Sequence, residues 1–295
     1  MPELPEAETI KRGLAALALG KVIKRVEVTR PNTVGGQGVT DFCRLVEGRK
    51  VASVRRRGKA VILDLSAGIS IIFRLGMTGR LICQGGEEKA SPHDRVIFHW
   101  EDGGGLVFQD PRGFGRARAL PKNLVEEEEN LGRLGIEPLA AEFTWQELRR
   151  VLGKTKTPLK AALLDQTRVA GIGNIYANEI LFCSGIHPAR LPQSLNTKEW
   201  RRLAEATQEV LMEATEAEGS SISDYLKPDG GPGSYQNRMK AYGREGRPCS
   251  RCGEAIVKMK LGGRSTFFCP RCQAGTARTR DKGQKATSGR AVPQQ

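Results

Sequence analysis

Four cysteines carry the clearest chemistry in the chain. Cys249 and Cys252 are separated by two residues, sixteen residues intervene, and Cys269 and Cys272 repeat the two-residue spacing. Two such knuckles supply four thiolates at the corners of a tetrahedron, the arrangement of a zinc site. Four sulfurs leave zinc no open coordination position, so one structural Zn2+ is expected and the reactive groups must lie elsewhere. Val257 to Lys260 and Ser265 to Phe268, with Gly262 and Gly263 between them, read as a β-hairpin joining the knuckles. Cys43, Cys83 and Cys183 have no comparable spacing, and the odd total of seven cysteines argues against a disulfide framework.

The second reactive group is the amino terminus. Pro2 follows Met1, whose removal is expected before so small a residue, and would then offer a secondary amine with a reference pKa of about 8. Such an amine is partly neutral at pH 7 and can attack an electrophilic carbon to give an iminium, the Schiff-base form of covalent catalysis. Glu3 and Glu6 are three apart and, on a helix, share one face beside that amine, placed to move protons. The same two carboxylates would also simply complement a helix dipole. A third feature is Gly171-Ile172-Gly173-Asn174, two glycines before a helical pattern, where backbone N–H groups can face an anion and the Asn174 amide can add a donor. Arg264, beside the hairpin turn, can fork onto a phosphate or remain solvated.

Charge says what these groups would act on. The 295 residues hold 47 Lys and Arg against 33 Asp and Glu, a net +14. From Lys227 onward there are 15 basic and 4 acidic residues, a local +11, on a body carrying about +3. The surplus points to a polyanion, most simply nucleic acid. The last part of it, Arg278 to Gln295, reads as a solvated basic tail. No apolar run reaches the roughly 18 residues that span a bilayer, and the N-terminus is not a leader, so a soluble, unsecreted protein is expected.

The elements that must position these groups come in two styles. A helix is predicted from Pro5 to about Leu19, with Ile10, Leu14 and Leu17 on one face and Gly20 past its end. Strands are predicted at Val22 to Val28, Val51 to Arg55, Ala60 to Leu65, Ile69 to Arg74, Arg95 to Trp100, Leu106 to Gln109 and Arg116 to Leu120, an antiparallel sandwich or barrel. After the acidic run Glu126 to Glu129 the patterning turns helical, with Thr144 and Thr157 as N-caps and Pro158 at a first helical position. Gly219 to Ser234, rich in Gly, Ser and Pro, reads as a mobile loop.

Three motifs in this order resemble bacterial formamidopyrimidine-DNA glycosylases. They are Pro2-Glu3-Leu4-Pro5-Glu6-Ala7-Glu8-Thr9, Gly171 through Glu179, and Tyr242 through Cys249 continued by Phe268 through Gln273. The resemblance runs from residue 2 to about 273. It implies an α+β multidomain fold: an N-terminal antiparallel β-sandwich with flanking helices (1–125), a linker (126–143), a helix-two-turn-helix domain with a lesion-covering loop (144–236), a zinc finger (237–275) and a basic disordered tail (276–295). It implies a monomeric, cytoplasmic base-excision repair enzyme acting on damaged double-stranded DNA.

The resemblance also assigns roles. Pro2 would attack the sugar C1′ and expel an oxidised purine, and the Schiff base would then undergo β- and δ-elimination. Glu3 would be the main acid/base group, Glu6 would support the N-terminal geometry, and Lys59 and Arg264 complete the catalytic set. His93, Arg112, Lys160 and Asn174 would bind DNA. Met77, Arg112 and Phe114 would fill the gap left by the extruded base, which costs a few kcal/mol of unstacking. Thr78 stands where several relatives carry Glu, and Gly113 where many carry Arg or Lys. Two rival functions remain. An endonuclease VIII-like enzyme for oxidised pyrimidines is disfavoured by Leu4, because that group has Gly-Pro after the first Glu. A non-catalytic zinc-finger DNA-binding protein would explain charge and cysteines but leaves Pro2, Glu3 and Lys59 without a role.

Overall fold

The computed structural model describes residues 2–86, 91–222 and 224–275; the tail expected over 276–295 lies outside them. The first half contains α1 (Leu4–Leu17), β1 (Ile23–Val28), α2 (Val39–Val46), β2 (Val51–Arg57), β3 (Ala60–Leu65), β4 (Ile69–Arg74), β5 (Arg80–Gln84), β6 (Asp94–Trp100), β7 (Gly105–Gln109) and β8 (Arg116–Pro121). They form two four-stranded antiparallel sheets, ordered β1-β6-β7-β5 and β2-β3-β4-β8. Their facing sides bury Val26, Leu63, Ile71, Phe73, Phe98 and Phe108 in one core, closed by Ile10 and Leu14 of α1 and Phe42 of α2. The outer face of the second sheet is covered too, because Val125 and Leu131 pack onto Ala60, Ile62 and Ile72. Covering on both faces explains why Ala60 to Leu63 in β3 and Ile71 to Phe73 in β4 read as apolar runs rather than as alternation.

The second half contains α3 (Trp145–Leu152), α4 (Leu159–Leu164), α5 (Asn174–Ser184) and α6 (Thr197–Glu216), then the hairpin β9 (Val257–Leu261) and β10 (Arg264–Phe268). Its core gathers Leu159, Tyr176, Ile180, Trp200 and Leu211. The two halves exchange side chains: Leu4 belongs to the helical core, and Tyr225, from the loop after α6, belongs to the sandwich core. Burying each fixes about 2 kcal/mol of apolar contact across the join.

Some expectations need correction. Leu17 is 44% exposed because α1 ends there, and the buried position is taken by Ala18. Thr157 does not cap α4; Pro158 is the cap residue, and the N–H groups of Leu159 and Lys160 are satisfied instead by the carbonyls of Arg190 and Pro188. Thr144 does cap α3, accepting from the Glu147 N–H. β5 and α2 went unread, β5 because only Leu81 of its five residues is fully buried and no alternation shows. Within the segment 126–143, expected as a linker, Leu131 and Phe143 are buried. The loop after Gly219 is tied down: Ser221 N–H donates to Gln236, Ser234 N–H to Ala217 O, and Cys83 N–H to Pro228 O.

Candidate active site and nucleic-acid interface

The site begins where α1 starts. Pro2 is buried and Glu3 is the N-cap residue of α1, with Pro5 in the first turn fixing the helical start. The Glu3 N–H donates to Glu6 Oε2 at 2.8 Å, so Glu6 holds the backbone next to Pro2. Glu6 Oε1 accepts from the Tyr176 hydroxyl at 2.5 Å and from Ser220 N–H at 2.8 Å. One buried carboxylate thus joins α1, α5 and the loop after α6. Burial, and then the neighbouring Glu3, push its pKa up, against the pull of these hydrogen bonds.

Glu3 reaches across to α5. Its carboxylate accepts from Gly173 N–H at 2.8 Å, Ile175 N–H at 3.0 Å and Tyr176 N–H at 3.4 Å. The anion expected before α5 is therefore this side chain, which occupies the helix N-terminus that the sequence left open for a phosphate. Gly173 makes room for that approach, since a Cβ there would lie 2.3 Å from Glu3 Cδ, whereas one at Gly171, where φ is +85°, would lie 2.7 Å from Leu4.

Two lysines feel the charge of Glu3, and Arg264 lies near both. Lys59 occupies the two-residue turn between β2 and β3, where Gly58 takes φ +56°. Its side chain is partly accessible, yet the ammonium sits deep enough that burial lowers its pKa, Arg264 lowers it further, and Glu3 and Glu6 oppose both. Lys160 is 1% exposed and donates to Ser265 O and Thr266 Oγ1, each at 2.8 Å. Burial, then Arg264, bring its pKa down to about 8, opposed by Glu3. Lys160 is thus committed to the residues next to Arg264 rather than displayed on the surface. Asn174 Nδ2 donates to the same Ser265 carbonyl at 3.3 Å, and Arg264 itself is exposed. A lowered amine pKa leaves more neutral base near neutral pH, the requirement for proton transfer or nucleophilic attack.

The Lys59 turn has a clamp that the sequence did not reveal. Glu137 accepts from Gly58 N–H at 2.6 Å and from Arg56 and Arg57, each at 2.9 Å, and Arg56 also donates to Glu8 at 3.0 Å. The only sequence signal was three consecutive arginines before Gly58; their partner is about 80 residues away.

The remaining residues form a second cluster. Met77 and Phe114 are 42% and 57% exposed, high values for large apolar side chains. The exposed Arg112 joins them, with Nη1 3.1 Å from Met77 Sδ and its guanidinium 5.1 Å from the Phe114 ring centre. His93 is exposed nearby, its carbonyl accepting from Asp110 N–H at 2.9 Å.

The four cysteines converge. All their sulfurs lie within 4.8 Å of one another, with Cys249 and Cys272 at 3.9 Å and Cys252 and Cys269 at 3.5 Å. A tetrahedron with Zn–S bonds of about 2.3 Å requires sulfurs about 3.8 Å apart, so the cage fits zinc. Glu179 ties α5 to this finger, accepting from the N–H groups of Lys240, Ala241 and Tyr242.

Known proteins share this layout. The formamidopyrimidine-DNA glycosylase N-terminal domain matches residues 1–117, the formamidopyrimidine-DNA glycosylase H2TH domain matches 134–225, and the zinc finger found in FPG and IleRS matches 246–275. Formamidopyrimidine-DNA glycosylase of Pelotomaculum thermopropionicum is 40% identical over 273 residues, covering 92% of this chain and 99% of that one. That of Desulfitobacterium hafniense is 42% identical over 273 residues, covering 92% and 100%. Among solved structures, MutM (Fpg) of Thermus thermophilus superposes with a TM-score of 0.83 at 42% identity, covering 92% of this chain and 98% of that one. Wild-type Lactococcus lactis Fpg (MutM) bound to N7-benzyl-Fapy-dG DNA gives 0.86 at 34%, covering 93% and 100%. With identity at this level along almost the whole length, the chain belongs to the formamidopyrimidine-DNA glycosylase family.

Proposed function

We propose that this chain excises oxidised purines from duplex DNA through a Schiff base on Pro2 and then cuts the abasic strand by β,δ-elimination. It is a bifunctional DNA glycosylase and AP lyase of its family. The observation that best supports the residue assignment is the convergence of Glu3, Glu6, Lys59 and Lys160 beside Pro2 at the start of α5. Removal of Met1 frees the Pro2 nitrogen; its lone pair forms the bond to C1′ as the base departs. Glu3, held by three backbone N–H groups, exchanges protons with the opened sugar. Lys59, which feels the charges of both Glu3 and Arg264, and Arg264 itself would neutralise the phosphates that flank such a sugar, with Asn174 and His93 as further phosphate contacts. The finger binds one structural zinc ion through Cys249, Cys252, Cys269 and Cys272. Among the described residues no helix is long and apolar enough to cross a membrane, and the monomeric, cytoplasmic enzyme read from the sequence remains part of this proposal. So do its domain limits: sandwich to 125, helical domain from 144, finger from 237.

The test is borohydride trapping on a duplex containing oxidised guanine opposite cytosine. A covalent adduct that disappears with Pro2→Gly is expected; an undiminished adduct would remove Pro2 as nucleophile. Lactococcus lactis Fpg has also been solved with oxidised-pyrimidine DNA. Binding of a pyrimidine lesion therefore does not separate this reading from an endonuclease VIII-like one, and the comparison must be of excision rates on oxidised guanine and thymine glycol.

A further inference from the structure

Met77 and Phe114 stand on different loops. Met77 is in the turn between β4 and β5, closed by the Gly79 N–H to Leu75 O bond of 2.8 Å, and Arg112 and Phe114 are in the loop between β7 and β8. The two loops touch through backbone. A Cβ on Gly76, where φ is +60°, would lie 3.1 Å from Gly115 N and from the Phe114 carbonyl carbon. Beneath the contact lies Asp110, with no exposed surface. One of its oxygens accepts from the Thr78 hydroxyl and the other from Gly115 N–H at 2.6 Å. Thr78 Oγ1 in turn accepts from the Arg112 N–H at 3.2 Å. A single hydroxyl therefore links the buried carboxylate to the backbone of the displayed arginine.

Arg95 completes the arrangement from the other side. It is 8% exposed and spends its guanidinium on the carbonyls of Asp110, Pro92 and Pro111, at 2.7, 3.1 and 3.4 Å. No cation pairs with the Asp110 carboxylate among the described residues. With no exposed surface, the Asp110 carboxyl group depends on these two donors, and each donor is in turn fixed by it.

We infer that Thr78 and Asp110, with Arg95, are positioning residues that hold Met77, Arg112 and Phe114 as one rigid wedge, and so govern base extrusion from duplex DNA rather than the chemistry at Pro2. The inference rests on the proposed function above. It requires that losing the Thr78 hydroxyl slow any substrate that must be unstacked and spare one that is already open. Inserting a wedge into stacked bases demands that its parts arrive together, whereas an abasic sugar in a single strand needs no extrusion.

The test uses the full-length zinc-loaded protein and two substrates: a duplex with oxidised guanine opposite cytosine, and a single-stranded oligonucleotide with an abasic site. For Thr78→Val, single-turnover excision from the duplex is expected to fall about tenfold, the equivalent of one lost buried hydrogen bond. Borohydride trapping on the single strand should stay within about twofold, and Thr78→Ser should restore the duplex rate. Adding Phe114→Ala to Thr78→Val should cost less than Phe114→Ala costs the wild type, since both act through the same wedge. Equal losses on both substrates, full additivity with Phe114→Ala, or an unchanged duplex rate would each overturn the inference. Should Thr78→Val melt early, Asp110→Asn must show the same division between substrates. A wild-type protein that traps on neither substrate would sink the reading of Pro2 instead. Fluorescence of 2-aminopurine beside the lesion, which needs no chemistry, would then decide the wedge: an increase on binding lost in Thr78→Val supports it, and an equal increase overturns it.

Discussion

Gly173 and Glu3 meet across 170 residues of sequence: the Gly173 N–H donates to Glu3 Oε2 at 2.8 Å, and any Cβ on Gly173 would fall 2.3 Å from Glu3 Cδ. The glycine is therefore a space requirement of the carboxylate, since its own φ of −125° is open to every residue. Gly171 differs, because its φ is +85° and its Cβ would strike the buried Leu4. Gly173→Ala is expected to displace Glu3 and reduce trapping at least about tenfold, while overpacking costs about 1–3 kcal/mol of stability. Gly171→Ala should act mainly on the melting temperature. Equal effects of both substitutions on trapping would show that Glu3 is not held through Gly173.

This contact also marks what the sequence could and could not reveal. Strands β3 and β4 were legible because burial on both faces writes an apolar run, and the cysteines because a metal fixes their spacing. The glycines before α5 were visible as an anion site, but the anion was another part of the same chain. Pairings of that kind, such as Glu3 with α5, Glu137 with Gly58 and Thr78 with Asp110, depend on tertiary approach and leave no local pattern. Lys160 shows the other limit: the resemblance alone places it at the DNA, and its burial against the β9–β10 hairpin again comes from tertiary approach.

Glu6 offers a pH test of the same region. Its pKa is raised by burial and by Glu3, and the Tyr176 hydroxyl is the leading influence pulling it back down. A carboxyl whose folded pKa is raised contributes stability at low pH that is lost as pH rises through the folded value. Tyr176→Phe raises that value further and leaves the anion short of a donor, a loss of about 1.5–3 kcal/mol when Glu6 is charged. The gap in melting temperature between wild type and Tyr176→Phe should therefore be small in acid and widen toward neutral pH. A gap independent of pH would mean that the hydroxyl does not serve the Glu6 anion.

Lys160 should titrate in the opposite window. Its folded pKa of about 8 lies below the 10.5 of an ordinary lysine. Between those values the unfolded chain binds more protons than the folded one, so this residue's contribution to stability rises with pH. Both hydrogen bonds survive deprotonation, because a neutral amine keeps two donors. Urea unfolding at pH 7.5 and pH 10 is the measurement, with wild type compared against Lys160→Met. The stability difference in favour of the wild type should increase at the higher pH; a constant or shrinking difference would show that the buried amine is not under desolvation stress.

The zinc finger should matter to the active site through α5. Arg251, between the first two cysteines, donates to the carbonyls of Phe182 and Cys183 at 2.9 and 2.7 Å, and its guanidinium lies 4.9 Å from the Phe182 ring centre. Gln273, after the last cysteine, accepts from Cys269 N–H and donates to Ile186 O at 3.0 Å. Both residues close the C-terminal end of the helix whose first turn holds Glu3. Stripping zinc with a chelator, or Cys269→Ser, releases both contacts and should weaken DNA binding and trapping together. Arg251→Ala separates the mechanical effect from the metal: zinc should stay at one per chain while stability falls by about 1–2 kcal/mol, the scale of two partly exposed hydrogen bonds. Zinc content by atomic absorption and unfolding by denaturant measure both. If Arg251→Ala leaves stability unchanged, the first knuckle does not brace α5, and any loss of trapping on zinc removal would have to act through the β9–β10 hairpin and Arg264.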